Sequence, residues 1–153
     1  MTQPHFQENS IAWIRFGDIE PAIHYRIMHL DASSRIADVM FKFPAQQQIV
    51  LHRHHAPNHT FVVQGEHRLY EPDGSLREVR ATGSYTVSPA SEQPHREGGG
   101  AHDVVVLFSI RPGEADMLYE LLDDALQPIG AITFTLLAAL YQAQQDSLKS
   151  DPA

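Results

Sequence analysis

The stretch LHRHHAPNHTFVVQGE, from Leu51 to Glu66, decides how the chain reads, because it sets His52, His54 and His59 ahead of an apolar strand that stops at Gly65. Side chains alternate faces along a strand, so His52 and His54 share one face, their Cβ atoms roughly 7 Å apart, and two imidazoles can converge on one ion. Arg53 and His55 then face the other way. Imidazole ligands narrow the metal to zinc, copper, iron or nickel without choosing among them. A third ligand has to come from elsewhere in the chain.

With 153 residues, 42% hydrophobic and 20% charged, the composition is that of one globular domain able to bury a core. The net charge of -8 argues against a general nucleic-acid or anionic-membrane partner. There is no cysteine, hence no disulfide and no thiolate ligand, and any metal must be held by His, Asp or Glu. The start, MTQPHFQENS, lacks a basic region followed by an apolar core, and no apolar run approaches the ~20 residues that span a bilayer. A cytoplasmic protein is expected.

Residues 1 to 9 are polar and read as a flexible arm ahead of a single domain over 10 to 150. Strands are expected over Ile11 to Phe16, anchored by Trp13, and over Ala22 to Leu30, Ile36 to Phe43 and Phe61 to Val63. Further strands are expected over Arg68 to Glu71, Leu76 to Arg80 and Tyr85 to Ser88. Val104 to Ile110 is apolar enough for a buried central strand, core first and pocket wall second, and glycines 98 to 100 read as a mobile loop before it. Ile132, Leu136, Leu137, Leu140 and Tyr141 fall on one stripe at helical spacing, predicting a C-terminal helix near 131 to 147. Many short strands closed by one helix point to an all-β barrel or jelly roll.

The run His52-Arg53-His54, then Pro57, Asn58, His59 and Gly65, resembles the first signature of the cupin superfamily, and Gly83, Pro89 and His95 resemble its second. The resemblance covers roughly residues 35 to 145. It implies a jelly-roll β-barrel with a metal in its mouth, held by His52, His54 and His95. Asn58 or His59 occupies the family's usual Glu position, which implies a three-histidine site. The loop Pro89-Ala-Ser-Glu-Gln-Pro94-His95 is one residue longer than the family pattern and lacks its glycine, so His95 is expected to need a bulge, with His102 as the fallback ligand. Within cupins, these motifs, GSY at 83 to 85 and a helix after LLDD are similar to dihydroxyacetophenone dioxygenases, and the all-histidine site is similar to that of acetylacetone-cleaving dioxygenases. Related cupins commonly pair, implying a homodimer.

His59 reads equally as a ligand or as a pocket residue acting in catalysis, and Phe61, Tyr85 and Phe108 are candidate substrate-pocket residues. His5, His24, His29, His55 and His67 read as surface or structural. Three neutral ligands leave a divalent ion's charge uncompensated, which favours an anionic oxygen pair, and leave roughly three octahedral positions open. The resemblance therefore implies an Fe(II) dioxygenase, with Zn, Ni or Mn as other metals. It would take a small hydroxyketone or β-diketone and dioxygen as partners and break the C–C bond between the oxygenated carbons to give carboxylic products. Two other readings are a non-catalytic metal cupin, acting as a sensor or ligand-binding module, and a metal-dependent isomerase that turns over without oxygen.

Overall fold

The computed structural model describes residues 6 to 150 as two facing β layers and one terminal helix. The first strands are β1 (Ile14–Arg15), β2 (His24–Asp31), β3 (Ile36–Phe43), β4 (His52–His54), β5 (Asn58–Gln64) and β6 (His67–Tyr70). They are followed by β7 (Leu76–Arg80), β8 (Tyr85–Ser88), β9 (Arg96–Gly99), β10 (Val104–Ile110), β11 (Met117–Leu122), β12 (Pro128–Thr133) and helix α1 (Phe134–Ser150). One layer is a six-stranded sheet in the order β1-β2-β3-β10-β5-β8. The other consists of β12-β11-β4 and β7-β6-β9, and an antiparallel bridge between His52 and His95 ties β4 to the residue preceding β9. This is the expected all-β jelly roll.

The apolar run of β10 is buried because it lies between β3 and β5, with Val106 opposite both Phe41 and Val62. Phe41, Phe43 and Phe108 pack ring against ring in the core, with centroids 5.1 to 6.3 Å apart. Trp13 is half-buried, its Nε1 donating to the Glu8 carbonyl at 3.1 Å and Lys42 Nζ lying 4.9 Å over its ring. The expected arm lies outside the described residues up to residue 5, as does His5. Beyond it, Glu8–Ser10 form a 3-10 turn, and the first strand is shorter than expected.

Three sequence expectations are corrected. Glycines 98 and 99 belong to the buried strand β9, not to a mobile loop: a Cβ on Gly98 would fall 1.8 Å from the Gln47 carbonyl oxygen, so only glycine lets this strand pass so close to the 47–48 backbone. β11 and β12 were not expected at all, although they form a hairpin whose turn is fastened by Asp123 Oδ1 accepting from the Ala125 and Gln127 amides, both at 2.9 Å. The helix starts at Phe134 rather than 131, because Ile132 and Thr133 finish β12 and the Thr133 hydroxyl then accepts the Leu136 amide at 3.0 Å as a cap.

α1 packs on β2. Buried Gln144 accepts from the Ile27 amide and donates to the Ile27 carbonyl, both at 3.0 Å, satisfying strand-edge groups that would otherwise be costly to bury. Among the described residues, no helix is long and apolar enough to cross a membrane.

Candidate metal centre

The seam between the two halves of the second layer carries the cluster. β4 pairs with β11, Leu121 opposite His52 and Tyr119 opposite His54. On its other side, the His52 amide donates to the His95 carbonyl at 3.1 Å and the His95 amide to the His52 carbonyl at 2.9 Å. His95 thus reaches the site by direct cross-strand pairing, and the bulge expected from its longer loop is not what brings it there. Period-two alternation in β4 turns both His52 and His54 inward, and the same alternation from His95 turns Glu97 inward.

The outcome is a cluster of His52, His54, His95 and Glu97 whose ligand-type atoms all lie within 4.8 Å of one another. Ring centroids are 4.7 Å apart for His52–His95 and His54–His95, and 5.4 Å for His52–His54. The expected site had three histidines and no carboxylate; Glu97 makes it a four-donor set. The supporting shell is equally defined. Glu97 Oε2 sits 2.8 Å from His52 Nε2, and its Oε1 accepts from His67 Nε2 at 2.7 Å. His67, fully buried against Phe43 and Phe108, is structural, and its partner is the carboxylate that sequence reasoning missed.

These residues suit a metal. His52 Nδ1–H donates to the Val50 carbonyl at 2.8 Å, which leaves Nε2 with its lone pair directed at the Glu97 oxygen. Two acceptors so placed repel unless a proton or a cation lies between them. His54 Nε2 and His95 Nε2 are buried without any hydrogen-bond partner, a costly state that an ion would relieve. The Asn58 amide lies against His54 Nδ1 and within 3.4 Å of the Tyr119 hydroxyl. Asn58 Nδ2 is the atom nearest His54 Nδ1 and its Oδ1 accepts from Tyr119; rotating the amide by 180° puts the oxygen on an Nδ1–H instead, the arrangement that presents His54 Nε2 as a ligand.

Electrostatics agree with that role. Burial pushes the pKa of His54 well down, helped by the positive potential of His52, and burial also lowers that of His95, so both are neutral near pH 7. Burial disfavours the charged form of His52 too, but the hydrogen bond and attraction of Glu97 outweigh it and leave its pKa raised. Burial raises the pKa of Glu97, but the bonds to His52 and His67, with His95 3.8 Å away, overcome it and hold the carboxyl well below its usual range, so it stays ionised. Burial, then the Glu97 charge, lifts Tyr119 well above 10 and keeps its hydroxyl protonated.

A cavity of about 240 Å³ borders His54, His95 and Glu97 and extends along Asn58, Thr60, Arg77, Arg80 and Phe108. A second, apolar cavity of about 40 Å³ lies by His52 between Phe41 and Tyr119 and is too small for a substrate. Phe108 lines the larger cavity. His59, Phe61 and Tyr85 do not. Asn58 and Thr60 point inward on β5, which turns His59 and Phe61 to the outer face, where His59 Nδ1 meets the Tyr85 hydroxyl at 2.6 Å. Phe61 and Tyr85 are 40% and 62% exposed there. The catalytic role expected of His59 is accordingly withdrawn. His102 is exposed beside Gly65 and Asp103, at the end of β10 away from the cluster, and is no ligand.

A jelly roll with three histidines and a glutamate gathered at the mouth of its inner cavity is a cupin of the metalloprotein kind. The chain belongs to the family described as the ChrR cupin-like domain, whose pattern it matches over residues 2–112. No curated protein matches the sequence. Among solved structures it is similar to an RmlC-like cupin from Ralstonia eutropha, at 18% identity over 100% of this chain and 93% of that one, TM-score 0.72. It is also similar to an acetylacetone dioxygenase from Acinetobacter johnsonii, at 15% identity over 94% and 92%, TM-score 0.67. A third is the DMSP lyase DddQ from Ruegeria pomeroyi, at 18% identity over 63% of this chain and 50% of that one, TM-score 0.51. At these identities, the likeness is one of fold.

Proposed function

We propose that the protein is a metal-dependent dioxygenase, using Fe(II), that cleaves a C–C bond in a small hydroxyketone or β-diketone. The observation that carries this reading is the pair of buried, unpartnered nitrogens, His54 Nε2 and His95 Nε2, beside Glu97 on the wall of a cavity of about 240 Å³. A metal held there would be within reach of a small molecule. The fold likeness to an acetylacetone dioxygenase supports the same class.

Bound iron would supply a Lewis acid that stabilises the deprotonated, enolate form of the substrate and a redox partner for dioxygen. His52, His54, His95 and Glu97 would hold it. The carboxylate revises the charge argument: a divalent ion with Glu97 keeps a net charge of about +1, still enough to favour an enolate over the neutral ketone. Four protein donors leave about two octahedral positions, the number a chelating substrate requires. His67 holds Glu97 in place through Oε1. Phe108 and Leu69 give the cavity an apolar side, which limits water around the reacting carbon. Dioxygen adds to that electron-rich carbon, and both its atoms end in the two carbonyl products of cleavage.

Oxygen uptake by the iron-loaded protein with acetylacetone and with hydroxyacetophenones tests this. Stoichiometric consumption with appearance of a carboxylic acid is expected; no uptake with any of them in fully iron-loaded protein would refute it. One observation favours a second reading, a non-catalytic zinc cupin: Glu97 completes a four-donor set, the number that closes a tetrahedral structural site. That reading predicts tightly held zinc and no response to chelating diketones.

A further inference from the structure

Across the cavity from the cluster stand two arginines of β7, and their surroundings differ. Arg77 is already engaged: Nε and Nη2 donate to Glu71 Oε1 and Oε2 at 2.6 and 2.8 Å, and Nη2 also reaches the Pro94 carbonyl at 3.2 Å. Arg80 is less so. Its side chain is only 12% exposed, yet Nη1 meets Thr60 Oγ1 at 3.4 Å and its Nε has no partner, while Nη2 pairs with Glu78, which also borders the cavity, at 3.2 Å. These bonds are at the long limit, and a guanidinium offers five donors. A largely buried guanidinium with one ion pair, one long bond and an unpartnered Nε has donor capacity left for a second anion.

Thr60 lies two residues beyond Asn58 on the inward face of β5, so its hydroxyl, the Arg80 guanidinium and the ligand His54 border one cavity. We infer that the substrate carries a carboxylate, held by Arg80 and Thr60 while its oxygen pair faces His54, His95 and Glu97. This rests on the reading of the cluster as an open metal centre. Charges allow it: a divalent ion with Glu97 leaves about +1 and Arg80 with its partner Glu78 comes near zero, so the cavity keeps a net positive charge that favours an anionic ligand over a neutral one. The cavity, at about 240 Å³, has room for a short dicarbonyl acid.

The test compares acetylacetone with acetylpyruvate, the same diketone with one methyl replaced by carboxylate. Both are titrated calorimetrically, without oxygen, into protein carrying one equivalent of zinc. Wild type is expected to prefer acetylpyruvate at least about tenfold, equivalent to ~1.4 kcal/mol. In Arg80→Met that preference should fall below about threefold, in Arg80→Lys it should return in part, and in Arg77→Met, whose side chain is already paired with Glu71, it should persist. Zinc content and melting temperature show that each variant is folded. Equal affinities in wild type, or a preference that Arg80→Met leaves intact, would overturn the inference. Because no turnover is involved, the outcome separates from the dioxygenase reading: preference without oxygen uptake keeps the carboxylate site and refutes the chemistry, and uptake without preference does the reverse.

Discussion

Glu97 Oε2 lies 2.8 Å from His52 Nε2, while the other nitrogen of that imidazole already donates to the Val50 carbonyl. A neutral His52 thus turns a lone pair toward a carboxylate, an arrangement that calls for a proton or a metal cation between them. Glu97→Gln removes the charge and keeps the shape. Metal affinity should fall at least ~100-fold, beyond the usual cost of losing an outer-shell partner, read by competition with a chromophoric chelator.

His67 touches no open part of the cavity, yet its Nε2 donates to Glu97 Oε1 at 2.7 Å. His67→Phe keeps the packing against Phe43 and Phe108 and deletes the donor. An affinity loss of about 10- to 100-fold with the fold retained is expected, measured by the same competition alongside thermal melting.

The outer face should be silent. His59→Ala and Phe61→Ala change residues that point away from the cluster, so metal content should stay at the wild-type value in both. A fall in content for His59→Ala would return that residue to the site.

What the sequence could and could not reveal follows from strand parity. His52 and His54 were legible because period-two alternation holds within a three-residue strand, and His95 because the second motif marks it. His59, Phe61 and Tyr85 were placed on the wrong face because parity was not carried past the corner at Ala56 and Pro57, although it holds there: Asn58 and Thr60 face inward like His52 and His54, which leaves His59 and Phe61 outside. Glu97 was missed because Gly98 to Gly100 read as a loop. Its signal was present: His95-Arg96-Glu97 has the same spacing as His52-Arg53-His54, and glycines in a strand can mark a close backbone approach rather than mobility. β11 was hidden because Met117 to Leu122 is apolar or aromatic everywhere but Glu120, without a period that separates strand from helix, and β12 because Ile132 falls on the stripe read as helical.

That close approach is itself testable. A Cβ on Gly98 meets the Gln47 carbonyl at 1.8 Å, so Gly98→Ala must move backbone next to Glu97. A stability loss of about 1–3 kcal/mol is expected, read by urea unfolding, together with weaker metal binding.

Acid should destabilise the metal-free protein. His54 and His95 have lowered pKa values in the folded state, so below the unfolded value of about 6.5 the unfolded chain takes up protons that the folded chain refuses. Their neutral burial therefore costs stability as pH falls from 6.5 toward their folded values. His52 acts oppositely: its raised pKa contributes stability that is fully present below 6.5 and is lost as pH rises through the folded value. Glu97, depressed, contributes stability that is full above the unfolded value of 4.5 and is lost as pH falls from there through its folded value. Urea unfolding of metal-free protein should show lower stability at pH 5.5 than at 6.5.

Elemental analysis tests the centre most directly, on protein purified without chelator, oxygen or a nickel column and counted against protein concentration. One equivalent of a transition metal in wild type, and essentially none in the His52→Ala/His54→Ala double variant, is the predicted result, with iron favouring the dioxygenase and zinc the non-catalytic cupin. A double variant that keeps a full equivalent, or a wild type that takes up none when metal is supplied, would contradict the account.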